Sequence, residues 1–162
     1  MELWDVLDRN GVPTGRTMVR GARAAPGDYH LVVDVWIQDE SDRWLVQHRA
    51  DHLEWSPGEW AATGGSALAG EDSATAAIRE TREEVGLLLS PHQLRLVARV
   101  VRPNRLNDVW LARVDNATAG RVRCSPEVAE VRWVTSAELS QLVASGVFHD
   151  CGPDYPSALH LG

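Results

Sequence analysis

The stretch from Asp72 to Val85 constrains this chain more than any other, because its apolar residues recur at helical spacing while its acids gather opposite them. Ala74, Ala77, Ile78, Thr81 and Val85 fall three and four positions apart, which stacks them on one face of a helix. Glu80, Glu83 and Glu84 then share the other side over an arc of roughly 100°. Asp72 or Ser73 can cap the helix at its start, and Gly86 can end it in the left-handed conformation. The small apolar face predicts packing on a sheet, with three carboxylates presented away from it.

Acids crowded in this way repel one another and shift their pKa values upward. Hard oxygen ligands at such density are what Mg²⁺ or Mn²⁺ uses, and a cation would relieve the repulsion while bridging to a substrate phosphate. Arg79, one turn before Glu83, can orient that carboxylate. A plain solvated acidic face is the alternative for the three glutamates taken alone.

The whole chain has 162 residues, 44% apolar and 24% charged, the profile of one soluble globular domain spanning 1–162. No run approaches the roughly 18 apolar residues of a membrane span. The opening Met1-Glu2-Leu3-Trp4-Asp5 carries no basic, apolar leader, so the cytoplasm is the expected location. A net charge of −7 with scattered arginines argues against a nucleic-acid polymer as partner. Cys124 and Cys151 show no metal-ligand spacing and read as free thiols. Nothing specifies an oligomeric state.

Leu3 to Leu7 and Thr17 to Arg20 read as strands of an N-terminal hairpin extension over residues 1–28, turned at Asn10-Gly11. Tyr29 to Gln38 and Trp44 to Arg49 read as an antiparallel pair in a central sheet. Residues 50–71 read as loop with short extended pieces. Further strands are predicted at Leu94 to Val101, Val109 to Val114 and Val128 to Val134, followed by a helix capped by Ser136 and running to about Ala144. The last ten residues, with Pro153 and Pro156, read as irregular. Strands and helices mixed in this order predict an α/β fold with a mixed sheet.

Extended in both directions, the helix belongs to a longer pattern. Gly65, Glu71, Arg79, Glu80, Glu83, Glu84, Gly86 and Leu87 stand at fixed separations within residues 65–87. The seven of these before Leu87, each of one residue type, match by chance on the order of 10⁻⁸ times per starting residue. This segment resembles the box of the Nudix family, G-x5-E-x7-R-E-U-x-E-E-x-G-U with U a bulky aliphatic residue. Thr81 is its one departure. The resemblance continues upstream through Leu45 to Arg49 and Pro57-Gly58 with Trp60, and downstream through Glu130 to Val134.

The resemblance implies a Nudix-type α/β/α sandwich around a mixed sheet. It also implies a metal site of Glu80, Glu83 and Glu84, helped by the backbone carbonyl of Gly64. The expected reaction is Mg²⁺- or Mn²⁺-dependent hydrolysis of a nucleoside diphosphate derivative or similar small organic diphosphate. Glu80 or Glu83 is the candidate general base inside the box, with Arg79 beside them, and Glu127 or Glu130 are the candidates outside it. Arg49, Trp60 and Glu127 are candidate substrate contacts. Trp55 or Trp60 could stack on a substrate ring, whereas Trp36, Trp110 and Trp133 read as core. Arg102, Asn104 and Arg105 could contact phosphate, and the six histidines show no ligand spacing.

Two rival functions remain. The N-terminal section, Trp4 to Asp8 with Pro13 to Gly15 and Tyr29 to Leu31, resembles the branch that holds isopentenyl diphosphate isomerase. That enzyme needs a cysteine and a histidine just before its box, and Thr63-Gly64-Gly65-Ser66 supplies neither. His30 could stand for another histidine of that enzyme, without restoring its chemistry. The other rival is a non-catalytic sensor of nucleotide derivatives, in which box glutamates are usually lost; here all are present.

Overall fold

A computed structural model of the protein describes residues 1–149; Cys151, His160 and the irregular segment expected at the end lie outside them. Strands β1 (Leu3–Leu7) and β2 (Pro13–Val19) form the predicted hairpin. The Asp8 carboxylate accepts from the N–H groups of Asn10 and Val12, and Gly11 takes φ 83°. This second strand starts earlier than the sequence suggested. Pro13 opens it at a position where its missing N–H costs no ladder bond.

The main sheet is mixed. Its strands are β3 (His30–Gln38), β4 (Trp44–Arg49), β5 (Trp60–Ala61), β6 (Thr63–Ser66), β7 (Leu94–Val101), β8 (Arg105–Arg113) and β9 (Val128–Val134). They run in the order β5-β4-β3-β8-β7, with β6 also pairing β3 and β9 pairing β4. The expected antiparallel pairing of β3 and β4 is present but short, through the register pair Gln38 with Trp44. A parallel ladder with β8 along all of β3, and an antiparallel one with β6, satisfy its backbone. The Asp39 carboxylate, fully buried, accepts from the Ser41 and Arg43 N–H groups and shapes the turn between β3 and β4.

Alternation along β3 assigns the two sides of the sheet. Val33, Val35 and Ile37 pack with Leu45 against Ala76, Ala77 and Val85 of α1 (Ser73–Val85). Trp36 faces the other way, into a cluster with Trp44, Val46, Val109, Phe148 and Leu139. Leu139 comes from α3 (Ser136–Ala144), so helices cover both sheet faces in an α/β/α arrangement, as expected. Thr135, one residue before the expected cap, closes a capping box with Glu138, which leaves the Ser136 hydroxyl to accept from the Trp44 indole at 3.1 Å. A short α2 (Asn116–Ala119), unforeseen, is capped by Asp115. Among the described residues no helix is long and apolar enough to cross a membrane.

The hairpin is fastened to the loop before α1. Leu3 C=O accepts from the Ala69 N–H at 2.8 Å, and the Asp5 carboxylate accepts from the Gly70 N–H at 2.7 Å. What precedes α1 is thus held by sheet and hairpin together.

Candidate active site

Helix α1 is built as its sequence dictates. The Asp72 carboxylate accepts from the Thr75 N–H at 2.8 Å, and Gly86, at φ 72°, ends the helix by donating to Arg82 C=O. Thr81, at the position where the box usually has an aliphatic residue, is fully buried, and its hydroxyl donates to Ala77 C=O at 2.8 Å. The hydroxyl is satisfied within the helix, so the methyl can pack on the sheet side at little cost.

The three glutamates do not stand side by side in solvent. Glu83 is exposed, Glu80 is half-buried and Glu84 turns inward to 6% exposure. One Glu84 oxygen accepts from the Gln47 amide at 2.7 Å and from the Gly64 N–H at 3.0 Å. The Gln47 amide also donates to Ala62 C=O, while its own oxygen is buried with no hydrogen-bond partner among the described residues. Burial pushes the Glu84 carboxyl up to about 7 against the two hydrogen bonds, and the charge of Glu80 adds to the push. Burial likewise raises Glu80, opposed by Arg79 and assisted by the charge of Glu83.

Arg79 organises the rest. It forks onto Glu71 with bonds of 2.8 and 2.9 Å, and donates to Ser66 C=O at 3.1 Å. Its remaining nitrogen lies between Glu80 and Glu83, at 2.8 and 3.0 Å. One planar guanidinium thereby ties the loop before the helix to two of its acids. Among the described residues no group of three acidic, histidine or cysteine side chains converges to hold an ion as placed.

The two glycines of β6 do different jobs. A β-carbon on Gly64 would lie 2.1 Å from Val33 C=O, so only glycine lets β6 approach the β3 backbone this closely. On Gly65 it would lie 2.5 Å from the Glu80 carboxyl, a flexible group that can move aside. Gly65→Ala is therefore expected to displace Glu80 and cut turnover on the order of 10²-fold, while costing less than about 1 kcal/mol of stability. Steady-state kinetics beside thermal denaturation of the variant check the split; equal damage to both would contradict it.

Other candidates are scattered. Arg49 forks onto Trp55 C=O at 3.2 and 3.0 Å and so braces the 50–58 segment. Trp60 is 8% exposed, packed with His48 at 5.0 Å between ring centroids and covered by the Arg132 guanidinium at 4.6 Å. It is a packing residue here, and Trp55, 67% exposed, is the one free to meet a ring. Glu127 is exposed just ahead of β9, its C=O accepting from the Ala50 N–H. Glu130 pairs with Arg132 at 2.6 Å, which holds its carboxyl below the ordinary range. Arg105 donates to the Asn107 amide oxygen at 3.1 Å.

Two residues linked to these acids, by a hydrogen bond or by charge, escaped the sequence reading. Gln47 had a signal: an amide within the otherwise apolar Leu45-Val46 strand start demands a buried partner. Arg20 had none. It ends the hairpin paired with Glu2 at 2.7 Å, and its position follows only from the docking of that hairpin on residues 69 and 70.

Comparison with known proteins gives the family and the fold. A model of the NUDIX domain matches residues 28–150. The chain is 38% identical over 149 residues to an uncharacterized Nudix hydrolase of Listeria monocytogenes, covering 91% of this chain and 88% of that one. It is 32% identical over 150 residues to an isopentenyl-diphosphate Delta-isomerase of Streptomyces griseus, covering 89% and 76%. A crystal structure of a Deinococcus radiodurans protein superposes with a TM-score of 0.75 at 19% identity, covering 99% of this chain and 97% of that one.

Proposed function

The chain belongs to the NUDIX domain family and is a hydrolase of that family, and on this footing we propose that it uses Mg²⁺ or Mn²⁺ to cut the diphosphate bond of a small organic diphosphate. The observation that carries the reading is the Glu80–Glu84 pair, two carboxyls raised by burial with the charge of Glu80 adding to the push on Glu84, set beside Gly64 and Gly65.

The donor set fits such an ion. Its oxygens are hard, an orphaned Gln47 oxygen sits on the amide that holds Glu84, and positive charge is already favoured between Glu80 and Glu83, where Arg79 reaches. Glu80, Glu84, Glu83 and the Gly64 carbonyl are the groups that would hold it. A divalent ion there supplies polarisation of a phosphoryl oxygen and acidifies water. The residues supply the rest. Gln47 and the Gly64 N–H fix the direction of Glu84, and Arg79 fixes Glu80 against the loop. Glu83, the most exposed of the three and so the least committed to the ion, is the proposed acceptor of the attacking water's proton.

A screen of phosphate release over nucleoside diphosphate derivatives, nucleotide sugars, CDP-alcohols and isoprenoid diphosphates tests this. The expected result is chelator-sensitive cleavage in which the two products account for a broken P–O–P bond. Release unaffected by chelator would remove the proposed metal role.

Kinship with isomerases keeps a second reading in view. Thr63, at the start of the stretch where those enzymes place their cysteine, is buried and paired with Val35, and Cys124 is exposed ahead of β9. With no thiol in that stretch, incubation with isopentenyl diphosphate is expected to yield no dimethylallyl isomer.

A further inference from the structure

We propose that Arg20, at the end of the N-terminal hairpin, is a substrate contact that leaves Glu2 to take a phosphate oxygen of the diphosphate. The inference rests on the hydrolase reading above but concerns a residue outside the segment matched by the family model, which begins at residue 28.

Placement comes first. Leu3 pairs with Val19, the Arg20 N–H donates to Glu2 C=O, and Leu3 C=O accepts from the Ala69 N–H. Asp5 closes a second bond to Gly70. These contacts bring Arg20 alongside the loop that Arg79 ties to Glu80. The electrostatics agree: after the hydrogen bond to Glu2, the charges of Glu127 and Glu80 both act on the Arg20 guanidinium. Arg20 is thus a cation in the field of a proposed metal-binding acid, Glu80, and of Glu127 just ahead of β9.

Need comes second. A diphosphate adds negative charge to a site already crowded with acids on a chain of net charge −7. Arg79 is engaged by Glu71, Glu80 and Glu83 together, and Arg49 by the Trp55 carbonyl. Arg20 has a partner that is easy to leave. Its pair with Glu2 is at the surface, the side chains 59% and 50% exposed, and such pairs contribute little. Arg20 meets Glu2 through one nitrogen, and a phosphate group offers its guanidinium a stronger, bidentate acceptor.

Methylenediphosphonate, whose P–C–P bridge resists hydrolysis, serves as the probe, its binding to the full chain with Mg²⁺ measured by calorimetry. Arg20→Gln is expected to weaken binding roughly tenfold or more, with Arg20→Lys recovering part of the loss. Mn²⁺ affinity, read by electron paramagnetic resonance, is expected to stay unchanged. Glu2→Gln decides between contact and brace: it should tighten binding by freeing the guanidinium, whereas a merely structural ion pair would make both variants weaken it. Unchanged binding by Arg20→Gln, or parallel loss in Glu2→Gln, overturns the proposal while wild-type cleavage leaves the hydrolase reading standing. A wild-type protein that neither binds the probe nor cleaves any diphosphate overturns both.

Discussion

Glu84→Gln is expected to lower metal-dependent turnover at least a hundredfold while the protein keeps its fold. Losing a partner in the outer shell of a metal site already costs roughly 10–100-fold, and Glu84 is proposed as a direct ligand. The fold should survive because the change is close to isosteric. The oxygen that accepts from Gln47 and Gly64 is retained by a glutamine amide oriented the same way. The second oxygen becomes an amide NH₂, which cannot serve a cation. Turnover against Mg²⁺ concentration, with circular dichroism as the control for folding, checks the result; near-normal turnover would remove Glu84 from the metal site.

The same carboxyl predicts a dependence of stability on pH that a divalent ion should reverse. Its folded pKa is raised from an ordinary 4.5 to about 7, so between those values the folded protein holds more protons than the unfolded chain. Stability must then fall as pH rises through that window, and the full penalty is present above the folded value. For a side chain this buried the shift corresponds to on the order of 3 kcal/mol. Raised Glu80 works in the same direction, while buried His30, lowered chiefly by desolvation, works in the opposite one below its ordinary value of 6.5. The clean quantity is therefore wild type minus Glu84→Gln. Without metal, the wild type should lose denaturation midpoint relative to the variant between pH 5 and 8, and added Mg²⁺ should restore it by binding the folded state. Parallel pH profiles for the two proteins would contradict the buried, protonated carboxyl.

Local signals carried the sequence reading far. The bounds of β7 and β9, the Asp72 cap and the Gly86 stop all rest on neighbouring residues, and the structure keeps them. What failed depended on distant partners. Strand β8 begins at Arg105, four residues before the apolar run, because Asn107 and Asp108 are buried against Asp34 and Arg99 from other strands. Polar residues there look like loop until their partners are known. The extent of pairing along β3 was hidden for the same reason: β4 does pair with it antiparallel, as adjacency in the chain suggested, but only at Gln38 with Trp44, while a parallel ladder with a strand 75 residues onward, His30 with Arg105, runs along its length. Within the site, helical spacing placed the three glutamates on α1 and predicted that they project together, but spacing has no means of showing that Gln47 draws Glu84 inward.

The loop before α1 is gripped from three directions, by the hairpin, by Arg79 and by β3. The 50–58 segment has its own separate holds, the Arg49 fork, the Ser56 hydroxyl against His149, the His48 ring at Gly58 C=O and the Ala50 N–H on Glu127 C=O, and carries Trp55 at its surface. Breaking a bond and choosing a molecule would thus fall to separate parts of the chain. Exchanges confined to residues 51–56 could then retune which compound is accepted without slowing the cut itself, a modular arrangement on which a lineage can build many preferences around one unaltered blade.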